Sequence, residues 1–379
     1  MANYTRRTRR QLPGGAPSDM QDISIVQLGL GGVGLALLDQ FQALPDASRS
    51  GLTLTGVADS SAALYRPEGL DGDTLAAAVA MKRARSPLSA HPEHLPAAAI
   101  AQAFERGPAI VVDVTASEAT MPTLRQAAEA GCGIVLANKR PLCEDSATWR
   151  LLTGSGRLRY EATVGAGLPV ISTLAYLQRT GDTVLKIEGA LSGTLSYLFT
   201  RIENGDSFSA ALRSAHELNY TEPDPRDDLG GMDVARKALI LARTIGIALE
   251  LSDIAVQALY PPEMARMPVS DFLAQSAKLD QSYQQQRREA AREGKVLRYL
   301  AHVEPGNVHI GLAGVPPESP AGSLHGTDNL LVIHTRRYSN PMRIAGPGAG
   351  PEVTAAGVLG DILDLAIAMR AQEQGGRCL

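Results

Sequence analysis

Two spacings of apolar residues divide the chain. From residue 22 to 152, short apolar runs of strand length alternate with segments whose apolar residues recur at helical spacing. Ile23 to Leu28 reads as a buried strand that passes through a glycine-rich turn into the helical pattern VGLALLDQFQAL. LTLTGVAD, ending at Asp59, reads as a second strand. PAIVVDVTAS (108 to 117) and GCGIVLANKRPL (131 to 142) are two more, each ending in polar residues, with the helical EATMPTLRQAAEA between them. Strands alternating with helices predict a parallel sheet whose ligands bind beyond the carboxyl ends of its strands. From 153 to 345 the order loosens. A strand around Val184 to Leu191 leads into a helix starting near Leu195, the helical ALILARTIG and SYQQQRREAAREGK follow, and KVLRYLAHV, VHIGLAGV and NLLVIHTRRYS read as strands separated by turns. These predict an α+β domain with a mixed sheet that also makes a dimer. Segment 351 to 370 reads as a final helix that returns to the first domain and completes it.

Composition narrows the class of partner. The chain of 379 residues is 44% hydrophobic and 20% charged, as expected of a globular protein of two or three domains, and its net charge of -4 provides no basic field for nucleic acid or an anionic membrane. Cys132, Cys143 and Cys378 have neither disulfide-framework nor zinc spacing, which fits a reducing cytoplasm. The basic opening MANYTRRTRR lacks the apolar core of a secretory signal, and residues 1 to 21 read as a flexible tail.

Gly29-x-Gly31-x-x-Gly34 gives the first domain a ligand. It directly follows a strand and opens a helix, where glycines permit a tight turn, approach of backbone to a pyrophosphate, and close helix-on-strand packing. The fold class is therefore α/β, with a Rossmann-type dinucleotide-binding domain followed by the α+β domain. Asp59, at the tip of the second strand, is placed to accept both hydroxyls of an adenosine ribose. That favours NAD over NADP, because a 2′-phosphate would meet like charge. The competing reading is that Asp59 only caps the turn before SSAAL. Thr115, Asn138 and Lys139 follow the next strand ends and lie at the ligand edge.

The second domain carries the acid and base. In TEPDPRDDLGGMDVARK, a proline-stiffened acidic loop enters a helix on which Asp233 and Lys237 are four apart and share one stripe. On spacing alone the pair is a surface salt bridge worth tenths of a kcal/mol. The helix also has much apolar surface, so Lys237 can instead face a cavity, where loss of water lowers its pKa toward the range useful for proton transfer. Ser192-Gly193-Thr194 at a helix start can cap that helix or bind a substrate carboxylate. The glycine-rich turn after Glu161 can be structural or can hold a hard cation such as sodium. His216 reads as structural, and the segment MKRARSPLSAHPEHLP (81 to 96) has no assigned role.

LGLGGVG, ANKRPL, EATVGAGLPVI, LSGTLSYLF, NYTEPDPRDDLGGMDVARKALILAR, KVLRYLAHV and GPGAGPEVTAAGVLGDIL occur in the order found in homoserine dehydrogenases, and the chain resembles that family from about residue 22 to 370. The resemblance implies reversible reduction of L-aspartate 4-semialdehyde to L-homoserine by NADH or NADPH, on the route to threonine, methionine and isoleucine, by a cytoplasmic homodimer. It implies that Lys237 exchanges a proton with the substrate oxygen and that Lys139 lies near the reacting carbon. Glu222 and Asp233 would hold the substrate ammonium or order a water near it, with Tyr220, Thr194 and Gly193 lining the pocket. Gly29, Gly31, Gly32, Val33 and Gly34, with Thr115, Ala116, Lys139 and Gly350, fall where family members contact the dinucleotide. Glu161 and the carbonyls of Val164, Ala166 and Leu168 match the family's sodium site. We expect neither a regulatory ACT domain after VTAAGVLGDIL nor a fused aspartate kinase, and so no threonine feedback through such a domain. The competing expectations are a dehydrogenase of a related amino-acid semialdehyde and a non-catalytic nucleotide sensor.

Overall fold

The structure is a computed structural model and describes residues 22–376. The expected tail, residues 1–21, and Cys378 lie outside the described residues. The first sheet has six strands: β1 (Ile23–Leu28), β2 (Leu52–Ala58), β3 (Ala63–Tyr65), β4 (Ala109–Asp113), β5 (Gly133–Leu136) and β6 (Leu158–Arg159). They lie in the order β3-β2-β1-β4-β5-β6, all parallel except β3, which pairs antiparallel with β2. The chain order reverses between β1 and β4, so their carboxyl ends open the crevice in which such sheets bind ligands.

Near-continuous apolar strands are what a sheet covered on both faces requires. Helix Pro351–Gly376 covers one face: Val358, Ile362, Leu365 and Met369 pack with Ile25, Ile110, Val112 and Val135. The C-terminal helix thus returns to the first domain. The sequence boundary at residue 152 needs correction, because β6 pairs Leu158 with Ile134 and carries the first sheet past it. A two-residue strand has too little pattern to be read from sequence.

The second sheet comprises β7 (Val184–Ala190), β8 (Ala255–Val256), β9 (Val296–Glu304), β10 (Asn307–Val315), β11 (Asp328–Thr335) and β12 (Met342–Pro347). Its order is β12-β11-β7-β9-β10-β8, antiparallel except for the β8–β10 pair. Side chains alternate between its faces. Ile187, Val303, Leu331 and Ile333 join the main core with helices Gly193–Glu203 and Met232–Thr244, while Ala190, Leu300, Leu330 and Val332 form a smaller cluster on the other face. Among the described residues, no helix is long and apolar enough to cross a membrane.

Candidate functional site

The glycine turn is built as its sequence requires. A Cβ on Gly34 would fall 2.2 Å from the Gly29 carbonyl oxygen, so any larger residue would open the turn; a Cβ on Gly31 would meet nothing within 4 Å, which leaves room for a ligand over the start of helix Gly32–Ala43. Gln27, buried in β1, donates from Nε2 to the Gly29 and Gly34 carbonyls at 2.9 and 3.0 Å and holds the turn's shape. Val33 is half-buried behind the turn, Thr115 packs against Gly29, and Ala116 is exposed at the rim.

Asp59 does not stand free to receive a ribose. Its Oδ1 accepts from Ser61 N, Ser61 Oγ and Ala62 N, and its Oδ2 accepts from Leu88 N at 3.0 Å and Lys82 Nζ at 2.6 Å. Burial opposes ionisation, but Lys82 and the other donors outweigh it and hold the carboxyl well below its ordinary range. The turn-capping reading therefore describes Asp59 in this structure. Lys82 pairs at 2.6 Å with the carboxylate on whose charge a preference for NAD rests. Lys82 ends helix Gly72–Arg83 and Leu88 follows it, so part of the unassigned 81–96 segment is what secures Asp59.

Lys139 sits at the end of β5 on a turn that the first domain fixes from beneath. Asp113, fully buried at the end of β4, accepts from Asn138 Nδ2 at 2.9 Å, Thr120 Oγ1 at 2.7 Å and Thr115 N at 2.9 Å. Asn138 Oδ1 in turn accepts from Arg140 N at 3.1 Å. From the other side, Arg243 donates to the carbonyls of Leu142 and Glu144 at 2.8 and 2.7 Å and pairs with Glu250 at 2.7 Å. Arg243 lies on the same helix as Lys237, so it fastens the Lys139 turn to that helix.

Lys139 and Lys237 then meet at one carboxylate. Asp233 Oδ1 lies 3.2 Å from Lys139 Nζ and Oδ2 lies 3.0 Å from Lys237 Nζ. Lys237 also donates to the Leu191 carbonyl at 2.6 Å. The Lys237 side chain is only 9% exposed, against 48% for Asp233. The pair is therefore no surface salt bridge. Burial pushes the Lys237 pKa down; the Asp233 charge counters this in part, and the neighbouring Lys139 charge adds to it. Burial alone would raise the Asp233 pKa, yet the two lysines hold it far below the usual range.

The acidic loop lies beside this carboxylate. Arg226 pairs with Asp224 at 2.6 Å and donates to the carbonyls of Met264, Ala265 and Met267, anchoring the short helix Pro225–Leu229. Asp228 accepts from Glu222 N at 2.8 Å and is pushed up to about 6 by burial, with the Glu222 and Asp233 charges adding to the effect. Thr194 Oγ1 donates to the Tyr220 carbonyl, and Tyr220 stacks edge-on against Tyr197, so Gly193, Thr194 and Tyr220 meet beside the acids. Ser192 caps the helix by accepting from Leu195 N, and His216 holds Thr221. Asp228, Asp113 and Arg243 went unnoticed in the sequence. Asp228 is one of several acids in its loop, and burial distinguishes it; Asp113 ends an apolar run, and that was its one available signal.

The expected sodium ligands lie on and beside helix Ala162–Gly165. The Glu161 carboxylate caps helix Val170–Arg179, accepting from Ile171 N at 2.6 Å and Ser172 N at 2.8 Å. The Leu168 carbonyl accepts from Val170 N, and the Ala166 carbonyl oxygen abuts Gly357, 2.4 Å from where a Cβ there would sit. The Glu161 carboxylate and the Leu168 carbonyl thus each accept hydrogen bonds within the protein, and Val164 is buried.

The chain is similar to known proteins over most of its length. Residues 169–363 match the family model "Homoserine dehydrogenase", and residues 29–157 match "Homoserine dehydrogenase, NAD binding domain". The homoserine dehydrogenase of Saccharomyces cerevisiae is 38% identical over 358 residues, covering 91% of this chain and 98% of that protein; that of Emericella nidulans is 37% identical over 357, covering 89% and 96%. A crystal structure of a Candida auris protein of unknown function superposes with a TM-score of 0.82 at 33% identity, covering 92% of this chain and 99% of that one.

Proposed function

The chain belongs to the homoserine dehydrogenase family, NAD(P)-dependent oxidoreductases that interconvert L-homoserine and L-aspartate 4-semialdehyde, and on that premise we propose that Lys139, Asp233 and Lys237 form its proton-transfer site. The observation that carries this assignment is a buried amine, Lys237, held on the Leu191 carbonyl and on the half-exposed carboxylate of Asp233. The open turn at Gly31 fits a dinucleotide, with Gly32, Gly34, Thr115 and Gly350 around it. When bound, the nicotinamide supplies or takes the hydride.

In the reducing direction the substrate oxygen gains negative charge and needs a proton. Lys237 gives it, and the lowered pKa makes the amine a readier donor than a solvated lysine. Lys139 adds positive charge near the same oxygen. Asp233 holds both ammonium groups in place. Glu222 and Asp228 receive the substrate ammonium beside Tyr220 and Thr194.

Lys82 neutralises Asp59, so we assign use of both NAD and NADP to this chain. Homodimerisation is assigned to the second sheet's outer face, where Lys186, Glu188, His302 and His334 remain partly exposed. The two described cysteines are free, in keeping with a cytoplasmic location. The assay that tests the function follows L-homoserine-dependent reduction of NAD and NADP at matched concentrations. Reduction of both at comparable rates is expected. Activity on a different amino-acid semialdehyde, with none on homoserine, would overturn the substrate assignment.

A further inference from the structure

Asn329 keeps a buried acceptor without a partner in the wall of the lysine site. It is the second residue of β11 and only 1% exposed. Its Nδ2 donates at 3.4 Å to the Leu191 carbonyl, the one that also takes the Lys237 ammonium, while its Oδ1 has no hydrogen-bond partner. Buried polar atoms are seldom left so, and one between the glycine turn and Lys237 points to a ligand that completes it.

The surroundings say which ligand. A Cβ on Gly348 would fall 1.9 Å from Asn329 Nδ2, so the glycine provides the space that the amide occupies. From Gly348 the chain runs to Pro351, which lies against Gly32 of the dinucleotide turn: a Cβ on Gly32 would come within 3.4 Å of it. On the other flank the Thr327 carbonyl oxygen would lie 2.6 Å from a Cβ on Gly193. Asn329 therefore stands between the turn that receives the pyrophosphate and the lysine that serves the substrate oxygen, the interval a hydride-carrying ring has to occupy.

We propose that Asn329 Oδ1 accepts the carboxamide N–H of the nicotinamide and so sets which way the ring faces. A neutral amide oxygen matches a neutral N–H donor, whereas the substrate ammonium has the carboxylates of Glu222 and Asp228. Through the Leu191 carbonyl the same side chain ties the ring's orientation to Lys237. The proposal rests on the dinucleotide reading above.

Calorimetric titration with three ligands tests it: NAD, its 3-acetylpyridine analogue, which lacks the carboxamide N–H, and ADP-ribose, which lacks the ring. Wild type should bind NAD roughly three- to tenfold more tightly than the analogue, the value of one neutral hydrogen bond. Asn329→Ala should close that gap and leave ADP-ribose affinity unchanged. Asn329→Asp, which keeps an acceptor, should retain the gap; Asn329→Ser, too short to reach, stands in should the alanine variant fail to fold. A gap that survives in the alanine or serine variant, or equal weakening of all three ligands, overturns the assignment. Wild type that binds neither NAD nor ADP-ribose overturns the dinucleotide reading and the proposal with it.

Discussion

Lys139 and Lys237 reach one carboxylate from two different domains, at 3.2 and 3.0 Å from the oxygens of Asp233. Two ammonium groups so close repel each other, and the carboxylate between them makes the arrangement tolerable. The domains must keep their relative position for it to persist. Arg243, two turns along the helix from Lys237, grips the turn that follows Lys139 and provides that constraint.

Arg243→Met should therefore lower kcat more than it weakens cofactor binding, because the glycine turn lies elsewhere. The carbonyls of Leu142, Glu144 and Leu249 would lose their donor, so the variant should also be less stable by about 3 kcal/mol. Urea unfolding and steady-state kinetics check both. Unchanged kcat in a destabilised but folded variant would confine Arg243 to a structural role.

The Lys82–Asp59 pair is expected to govern cofactor choice. Lys82→Met would leave an uncompensated carboxylate near the 2′ position and should reduce kcat/KM for NADP relative to NAD by roughly tenfold, the effect of about 1.4 kcal/mol of charge repulsion. Asp59→Asn should move the ratio the other way. An unchanged ratio in both variants would remove this corner from cofactor selection.

The local parts of this site were legible in the sequence. Glycines at fixed offsets between a strand and a helix imply a phosphate turn, and Asp233 and Lys237 at i and i+4 share a helix face wherever that helix lies. What the spacing did not reveal was burial. Lys237 reads as half of a surface pair until the helix is seen enclosed by two domains. The capture of Asp59 by Lys82 joins residues 23 apart, and the approach of Lys139 to Asp233 joins two domains. Neither leaves a periodic trace. Asp228 differs from its acidic neighbours only in being covered.

Burial of Asp228 has a consequence for the pH profile. Its carboxyl is pushed up to about 6, so it becomes protonated below that pH and loses its attraction for the substrate ammonium. kcat/KM for L-homoserine should fall as pH drops through about 6, with NAD binding much less affected. Asp228→Asn should flatten that limb while raising KM; a limb unchanged in the variant would assign it to another group.

Asp361, on the C-terminal helix, accepts the Glu161 N–H at 2.8 Å and is pushed up to about 7 by burial, with the Glu161 charge adding to this. The folded chain thus holds a proton there that the unfolded chain releases near pH 4. Its contribution to stability is fully present below the unfolded value and is lost as pH rises through about 7. Asp361→Asn keeps an acceptor for the N–H without the charge. It should raise Tm at pH 8 by several degrees, corresponding to a few kcal/mol, and change it little at pH 4. Equal shifts at both pH values would contradict the buried charge as the cause.

The central claim is that Lys237 moves the proton. Lys237→Met, close in length and unable to carry a proton, should be measured for homoserine-dependent reduction of NAD and, in the same preparation, for NAD binding by calorimetry. Turnover reduced by about 10²- to 10⁴-fold with NAD affinity within a few-fold of wild type is the expected result. Near-full turnover in the folded variant would contradict the account.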